Sequence, residues 1–102
     1  MENTEKDIKE IVDSALLKGS DVKECFYKID EIIYDKIYKY MRRYGDYPTK
    51  IFLGTKVHDL VSTGTLLYIG GTTEDSTNLL YYRNMHVSLL VSPYDIFVGG
   101  MI

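Results

Sequence analysis

The sequence predicts an α+β protein: two N-terminal helices packed on a small, mostly antiparallel sheet with one short inserted helix. Charge is concentrated in the first half, where residues 1–50 hold 10 of the 12 Lys and Arg and 11 of the 15 Asp and Glu residues. After residue 48 the hydrophobic spacing changes from that of amphipathic helices to short apolar runs separated by Gly, Pro and polar residues. Helices followed by strands, rather than alternating with them, favour the α+β class.

Two helices of unequal length account for the first half. Helix one is predicted from Thr4 to Lys18, with a left-handed cap at Gly19. Helix two is predicted from Val22 to Tyr44, between an N-cap at Asp21 and a stop at Gly45. Besides its core stripe, helix two carries a second stripe of Tyr27, Tyr34, Tyr38 and Met41. Either helix one or a neighbouring subunit should cover this second stripe, and the sequence favours neither.

The second half predicts strands and a short helix. A strand at 50–54 precedes a helix that Thr55 caps and Gly64 ends. The remaining predicted elements are a strand at 66–71, a polar loop at 72–78, a strand at 79–83, and strands at 86–91 and 96–100 around a turn at 92–95. We expect one domain over 1–102, with a helical part at 1–45 and a sheet part at 48–102.

Composition excludes several classes of protein. A net charge of −3 lacks the basic footprint of nucleic-acid binding, so no nucleic acid is expected as a partner. One Cys allows no internal disulfide, and no apolar run is long enough for a membrane span, so no membrane partner is expected. These features predict a cytoplasmic protein. Its ten Tyr residues suit interfaces and pockets, although tyrosine is also common at core edges.

No residue pattern indicates catalysis. Cys25 has no histidine near it in sequence, which favours a small buried hydrophobe over a nucleophile. His58 and His86 lack the spacing of metal ligands, and His58 is expected to be exposed to solvent. The glycines of 69–77 are followed by Glu74 and Asp75, which repel phosphate, so a hairpin loop is the better interpretation. We therefore expect no enzyme activity, no metal and no cofactor.

Cations beside tyrosines are the one pattern that indicates a ligand site. Arginine and lysine bind anions, and aromatic rings stack on flat groups. A helix C-terminus, however, also favours cations without any ligand, and this alternative stays open for residues 41–50. The predicted ligand-binding residues are Arg42, Arg43, Tyr44, Tyr47, Lys50, Tyr82 and Arg83.

Residues 48–102 resemble the central domain of tailed-bacteriophage major capsid proteins. The resemblance rests on apolar and glycine spacing at Pro48, Leu60, Gly64, Leu67, Tyr68, Gly70, Gly71, Val87, Val91, Val98 and Gly99. It departs before Val87, where "NMH" replaces the family's glycine-proline pair, and the chain lacks the family's extended arm and long loop. The resemblance implies a capsid-like fold, with helix two in the place of the long spine helix. It also implies a phage origin, and hence the host cell cytosol as the protein's location.

Two functions follow as expectations. The first is a non-enzymatic homo-oligomer that binds a small anionic or nucleotide-derived ligand and sequesters a host immune signal. The second is a capsid-derived structural or protein-interaction module that binds a virion or host protein. A ligand-binding protein must bring its cations to one concave site, whereas an interaction module can leave them scattered.

Overall fold

A four-stranded mixed sheet carries the helices on one face. The computed structural model describes residues 5–19, 21–69 and 79–100, and within these ranges it contains three α-helices. The elements in chain order are α1 (Glu5–Leu16), α2 (Val22–Tyr44), β1 (Lys50–Gly54), α3 (Thr55–Gly64) with a π-helical extension (Thr65–Ile69), β2 (Tyr81–Tyr82), β3 (Met85–Leu90) and β4 (Ile96–Gly99). The α+β class predicted from the sequence, with two N-terminal helices and a helix inserted between strands, is confirmed.

Strand β1 is central in the sheet, whose order is β2-β3-β1-β4. It runs parallel to β3, with Ile51 beside Val87, and antiparallel to β4, with Ile51 beside Val98. Strands β2 and β3 form an antiparallel hairpin. Two of the three strand pairs are therefore antiparallel. Side chains on one face pack against the helices as part of the core: Ile51, Leu53, Met85, Val87 and Ile96.

Of the three helices, α2 provides the largest contribution to the core. The Asp21 side chain accepts a hydrogen bond from the Glu24 N–H at 3.2 Å, and Gly45 closes the helix with a φ of 77°. These caps confirm the predicted boundaries. The buried side chains are Cys25, Phe26, Ile29, Ile32, Ile33 and Ile37. Each large apolar side chain among them contributes about 1.5–3 kcal/mol by leaving water.

The second stripe of α2 is not covered by α1. Helix α1 contributes Ile8, Val12 and Ala15 to the core, beside α2 and α3. Tyr27, Tyr34, Tyr38 and Met41 remain 44%, 57%, 51% and 43% exposed. Within the described residues, the stripe is therefore an open surface.

The segment between β3 and β4 crosses over the end of β1. Strands β3 and β4 lie on opposite sides of β1, so the last strand returns to β1 and not to its predecessor in sequence. The Gly54 N–H donates to the Asp95 carbonyl at 2.8 Å, and a Cβ on Gly54 would clash with the Pro93 carbonyl group. Only glycine lets the two backbones approach this closely.

The crossing segment also caps helix α3. The N–H groups of Thr55 and Lys56 donate to the carbonyls of Ser92 and Pro93 at 3.2 and 3.1 Å. The N-cap is Gly54, and no side chain makes a capping hydrogen bond. The predicted cap by the Thr55 side chain is therefore wrong, because backbone carbonyls distant in sequence already occupy the first N–H groups.

The predicted strand at 66–71 is wrong over the residues that are described. Thr65 keeps helical angles (φ −61°, ψ −45°), and the chain continues as a π-helix to Ile69. A short apolar run does not distinguish helix from strand, and β1 already has a partner on each side. The predicted strand at 79–83 is reduced to Tyr81–Tyr82, because Arg83 enters a turn. Residues 70–71 and the predicted loop at 72–78 lie outside the described residues.

Helix α3 ends at Gly64, as predicted, but the chain continues as a π-helix, so this glycine serves helix packing and is not a left-handed cap. A Cβ at this position would clash with the Phe26 ring. We expect Gly64→Ala to destabilise the fold by about 1–3 kcal/mol through overpacking, despite the higher helix propensity of alanine. Urea unfolding of the variant measures this change. Thr63→Ala, at the exposed preceding position of the same helix, is the control and should leave stability unchanged or raise it by about 0.5 kcal/mol.

Candidate functional site

A basic groove lies between the C-terminal half of α2 and strand β4. It encloses about 250 Å³ and is lined by Lys36, Lys39, Tyr40, Arg43, Tyr44, Ile96, Phe97 and Val98. The helix supplies three cations and two tyrosines, while the strand supplies an apolar floor. These helix residues are three or four positions apart, so they lie on one side of α2, and this side faces β4.

Among the residues that the structure describes, the lining of the basic groove carries positive charge and no acidic side chain. Asp35, beside the groove, pairs with Lys39 at 3.0 Å. The Arg43 guanidinium lies over the Tyr44 ring, 5.5 Å from its centroid. The rings of Tyr40 and Tyr44 are 4.6 Å apart and tilted by 46°. Cations next to tilted rings provide attraction for an anion and a stacking surface for a flat group.

The size of the basic groove limits what it can hold. Pockets for drug-sized molecules enclose about 300–1,000 Å³, so this groove fits one end of such a ligand. A Cβ on Gly100 would meet the Tyr40 hydroxyl oxygen, so a larger residue there would require the end of this tyrosine side chain to move. The ring of Tyr40 is therefore held between Gly100 and Tyr44.

A second cavity, the tyrosine pocket, lies at the opposite edge of the sheet. It encloses about 310 Å³ and is lined by Phe26, Tyr27, Asp30, Thr65, Tyr81, Tyr82 and Arg83. Its walls are mostly aromatic. The Thr65 hydroxyl is buried and has no hydrogen-bond partner among the described residues. This hydroxyl and the aromatic walls suit an uncharged ligand better than an anion.

Arg83 forms an ion pair at the rim of the tyrosine pocket. Its Nε and one terminal nitrogen donate to the two carboxylate oxygens of Asp30 at 2.8 and 2.7 Å. The Tyr82 hydroxyl donates to the same carboxylate, and the Arg83 guanidinium lies 5.5 Å from the Tyr34 ring centroid. With both carboxylate oxygens occupied and its charge neutralised, Arg83 is a poor receptor for an anionic ligand.

The electrostatics of the same cluster fix its protonation. Desolvation raises the pKa of Asp30, but hydrogen bonds from Arg83 and Tyr82 outweigh it, so this pKa lies below its ordinary value. Burial first, and the bond to Asp30 second, raise the pKa of Tyr82. The bond to Asp30 raises the pKa of Arg83. The three groups stay as carboxylate, phenol and guanidinium at neutral pH.

The β2–β3 turn depends on this cluster. Arg83 and Asn84 have φ values of 50° and 65°, as a two-residue primed turn requires. A left-handed conformation costs a side-chain-bearing residue about 1 kcal/mol or more. The Tyr47 hydroxyl donates to the Arg83 carbonyl at 2.8 Å, which adds a second anchor. The contacts of Arg83 therefore offset local backbone strain.

The structure divides the predicted ligand-binding residues among several places. Arg43 and Tyr44 line the basic groove, whereas Tyr82 and Arg83 line the tyrosine pocket. Arg42 lies over the Tyr38 ring at 5.8 Å, on another side of α2. Tyr47 contacts the β2–β3 turn, and Lys50 begins β1.

Sequence reasoning missed other lining residues of the groove. These are Lys36, Lys39, Tyr40 and Phe97. The helical spacing of Lys36, Lys39 and Tyr40 relative to Arg43, in steps of three and four residues, could have indicated the first three. The pairing of Asp30 with Arg83 left no signal in sequence, since 53 residues separate the two.

The three residues considered for nucleophilic or metal chemistry are buried or pack against neighbouring side chains. Cys25 is buried, as predicted, and desolvation raises the pKa of its thiol. His58 is 8% exposed, which corrects the prediction that it faces solvent; its Nδ1 lies 3.5 Å from the Ser62 hydroxyl. Burial lowers the pKa of His58. His86 is exposed and packs edge-on against Tyr81. Among the described residues, no group of three or more His, Cys, Asp and Glu side chains could hold a metal ion.

Comparisons of the chain with protein-family models, with curated proteins and with solved structures each gave no match. The resemblance of residues 48–102 to a capsid domain therefore stays a prediction. No helix in the described part of the chain is both long enough and apolar enough to cross a membrane.

Asp30→Ala tests the structural role of the Arg83 cluster. The variant leaves the Tyr82 hydroxyl and a partly buried guanidinium without an acceptor, so we expect a loss of about 2–4 kcal/mol in unfolding free energy. Chemical denaturation gives the value. Asp35→Ala is the matched control, because it removes an exposed pair with Lys39 on the same helix and should cost less than about 0.5 kcal/mol. Equal losses in the two variants would contradict this role.

His58 predicts a dependence of stability on pH. Its folded pKa lies below the ordinary value of 6.5, so the unfolded chain binds the proton more readily and acidification through pH 6.5 favours unfolding. The lowered pKa values of Asp13 and Asp30 reduce the stability of the fold only as the pH falls below about 4. The melting temperature should therefore fall between about pH 7 and pH 5. His58→Gln should flatten that decline, and the exposed His86→Gln should not.

Proposed function

We propose that the protein is a non-enzymatic binding protein that holds a small anionic, nucleotide-like ligand in the basic groove. One observation carries the proposal: Lys36, Arg43 and three aromatic side chains line a single groove, together with Lys39, which pairs with Asp35, and no acidic side chain is among the described lining residues. Of the predicted cations, Arg43 lies in the groove, beside Lys36 and Lys39, whereas Arg42, Lys50 and Arg83 lie elsewhere. The bound part of the ligand is a phosphate together with one flat ring, which matches the volume of the groove.

The chemistry of the groove divides the ligand into two contacts. Arg43 and Lys36 attract the phosphate, and Arg43 can donate two parallel hydrogen bonds to it. Tyr44 and Phe97 provide aromatic surface for the ring, since both are more than half exposed. Exposed charges are screened by salt, so affinity should fall as ionic strength rises.

The biological setting forms part of the same proposal. The capsid resemblance of residues 48–102 supports a phage origin, and with it a location in the cytoplasm of the host. In that setting the ligand is a nucleotide-derived immune signal, and the protein acts by sequestering it without chemical change.

A protein-interaction module is the second candidate. The open aromatic surface of Tyr27, Tyr34 and Tyr38 on α2 favours it, because tyrosine is enriched at the centres of interfaces. A capsid-derived module of this kind binds a virion or host protein and needs no anion site. Its binding to a captured partner would be unaffected by Arg43→Ala.

Calorimetric titration with ATP, pyrophosphate and adenosine tests the proposed function. ATP should bind most tightly, because it alone offers both phosphates and a ring. Arg43→Ala should weaken ATP binding about tenfold, the effect of losing a charge-assisted contact.

Arg42→Ala is the matched control for this titration. It removes a neighbouring cation that lies over Tyr38 and not in the groove, so ATP affinity should be unchanged. Absence of binding by all three probes, or equal weakening in the Arg42 and Arg43 variants, would overturn the assignment of the groove as the site.

A further inference from the structure

The open side of α2 carries a regular seam of side chains. Tyr27, Glu31, Tyr34, Tyr38 and Met41 follow one another in alternating steps of four and three residues. This spacing is that of the contact positions of a two-helix coiled coil. We call these five residues the α2 seam; all are exposed, and none belongs to the buried core.

We propose that the α2 seam is the contact between two copies of this chain, packed antiparallel about a two-fold axis that passes between Tyr34 and Tyr38. In this arrangement Tyr34 of each copy packs beside Tyr38 of the other. The contact is isologous, because the same surface serves both copies.

Charge along α2 selects a second copy in the antiparallel orientation. Of the four basic residues in 36–44, Lys36, Lys39 and Arg43 line the basic groove on another side of the helix, and Arg42 lies on the seam side, over the Tyr38 ring. The seam therefore carries Glu31 in its first half and has Arg42 beside its second half, and antiparallel packing brings these opposite charges together. Glu31 and Arg42 lie about equally far from the axis, so each Glu31 lies near the Arg42 of the other copy. Parallel packing would instead bring like charges together.

The extent of the α2 seam is sufficient for a dimer. From Tyr27 to Met41 the helix rises about 21 Å. Tyr81 is 65% exposed and lines the tyrosine pocket together with Tyr27, so it extends the same surface. Arg83 extends it beside Tyr34. Side chains of this size offer an area on the order of 800 Å² per copy, which is that of a standard interface.

This dimer is independent of the basic groove. Lys36, Tyr40 and Arg43 project from a different side of α2, so both grooves stay open when the helices pair. Loss of the dimer and loss of anion binding are therefore separate outcomes.

Sedimentation and light scattering of the full chain test the proposal at tens of micromolar. The wild type should have twice the mass of one chain, and Tyr38→Glu should have the mass of one. The new Glu lies four residues before Arg42, a favourable helical pair, so the variant is expected to keep its fold. Far-UV circular dichroism checks that fold.

A charge exchange tests the orientation. Glu31→Arg and Arg42→Glu should each weaken dimerisation about tenfold, and the double variant should restore it to within about twofold of the wild type. Val91→Glu is the control, because Val91 is fully exposed in the segment between β3 and β4, away from α2. A wild type with the mass of one chain, a dimer unaffected by Tyr38→Glu, or no restoration in the double variant would overturn the proposal.

Discussion

The fold depends on the close crossing of two backbones at Gly54. Here the segment that joins β3 to β4 passes over the end of β1, and its carbonyls accept hydrogen bonds from the first N–H groups of α3. One contact therefore fixes three things: the position of β4 beyond β1, the start of α3, and the absence of a side chain at residue 54. The crossing segment covers the start of α3 and supplies the acceptors for its first N–H groups. Buried N–H groups without acceptors would lower the stability of the fold, so the position of this segment is strongly constrained.

The sequence was informative wherever local rules decide structure. The ends of α2 follow from Asp21 and Gly45, and its buried face follows from the spacing of Phe26, Ile29 and Ile33. Strand β1 follows from an apolar run between breakers. The capping of α3 could not be predicted, because it depends on the carbonyls of Ser92 and Pro93, which are distant in the chain. The π-helix after Gly64 and the burial of His58 were also predicted wrongly.

The candidate site could be predicted only in part, for the same reason. Arg43 and Tyr44 were found because cations and tyrosines cluster in sequence, but Phe97 joins them only through the pairing of β4 with β1. Arg83 was predicted as a ligand-binding cation, and yet its partner Asp30 neutralises it. Composition indicates which residues can bind an anion, and the tertiary fold decides which of them are left to do so.

Helix α2 gives each of its sides a different role: core, groove and open seam. Its contact with the β2–β3 turn limits how the sequence can change over time. A residue that adopts the positive φ of the turn at lower cost could replace Arg83, but it would lose the bond to Asp30. A change at Asp30 would leave Arg83 and Tyr82 without an acceptor. Asp30, Tyr82 and Arg83 should therefore be inherited or replaced as a set, and intermediates that carry one change should be rare among relatives of this chain.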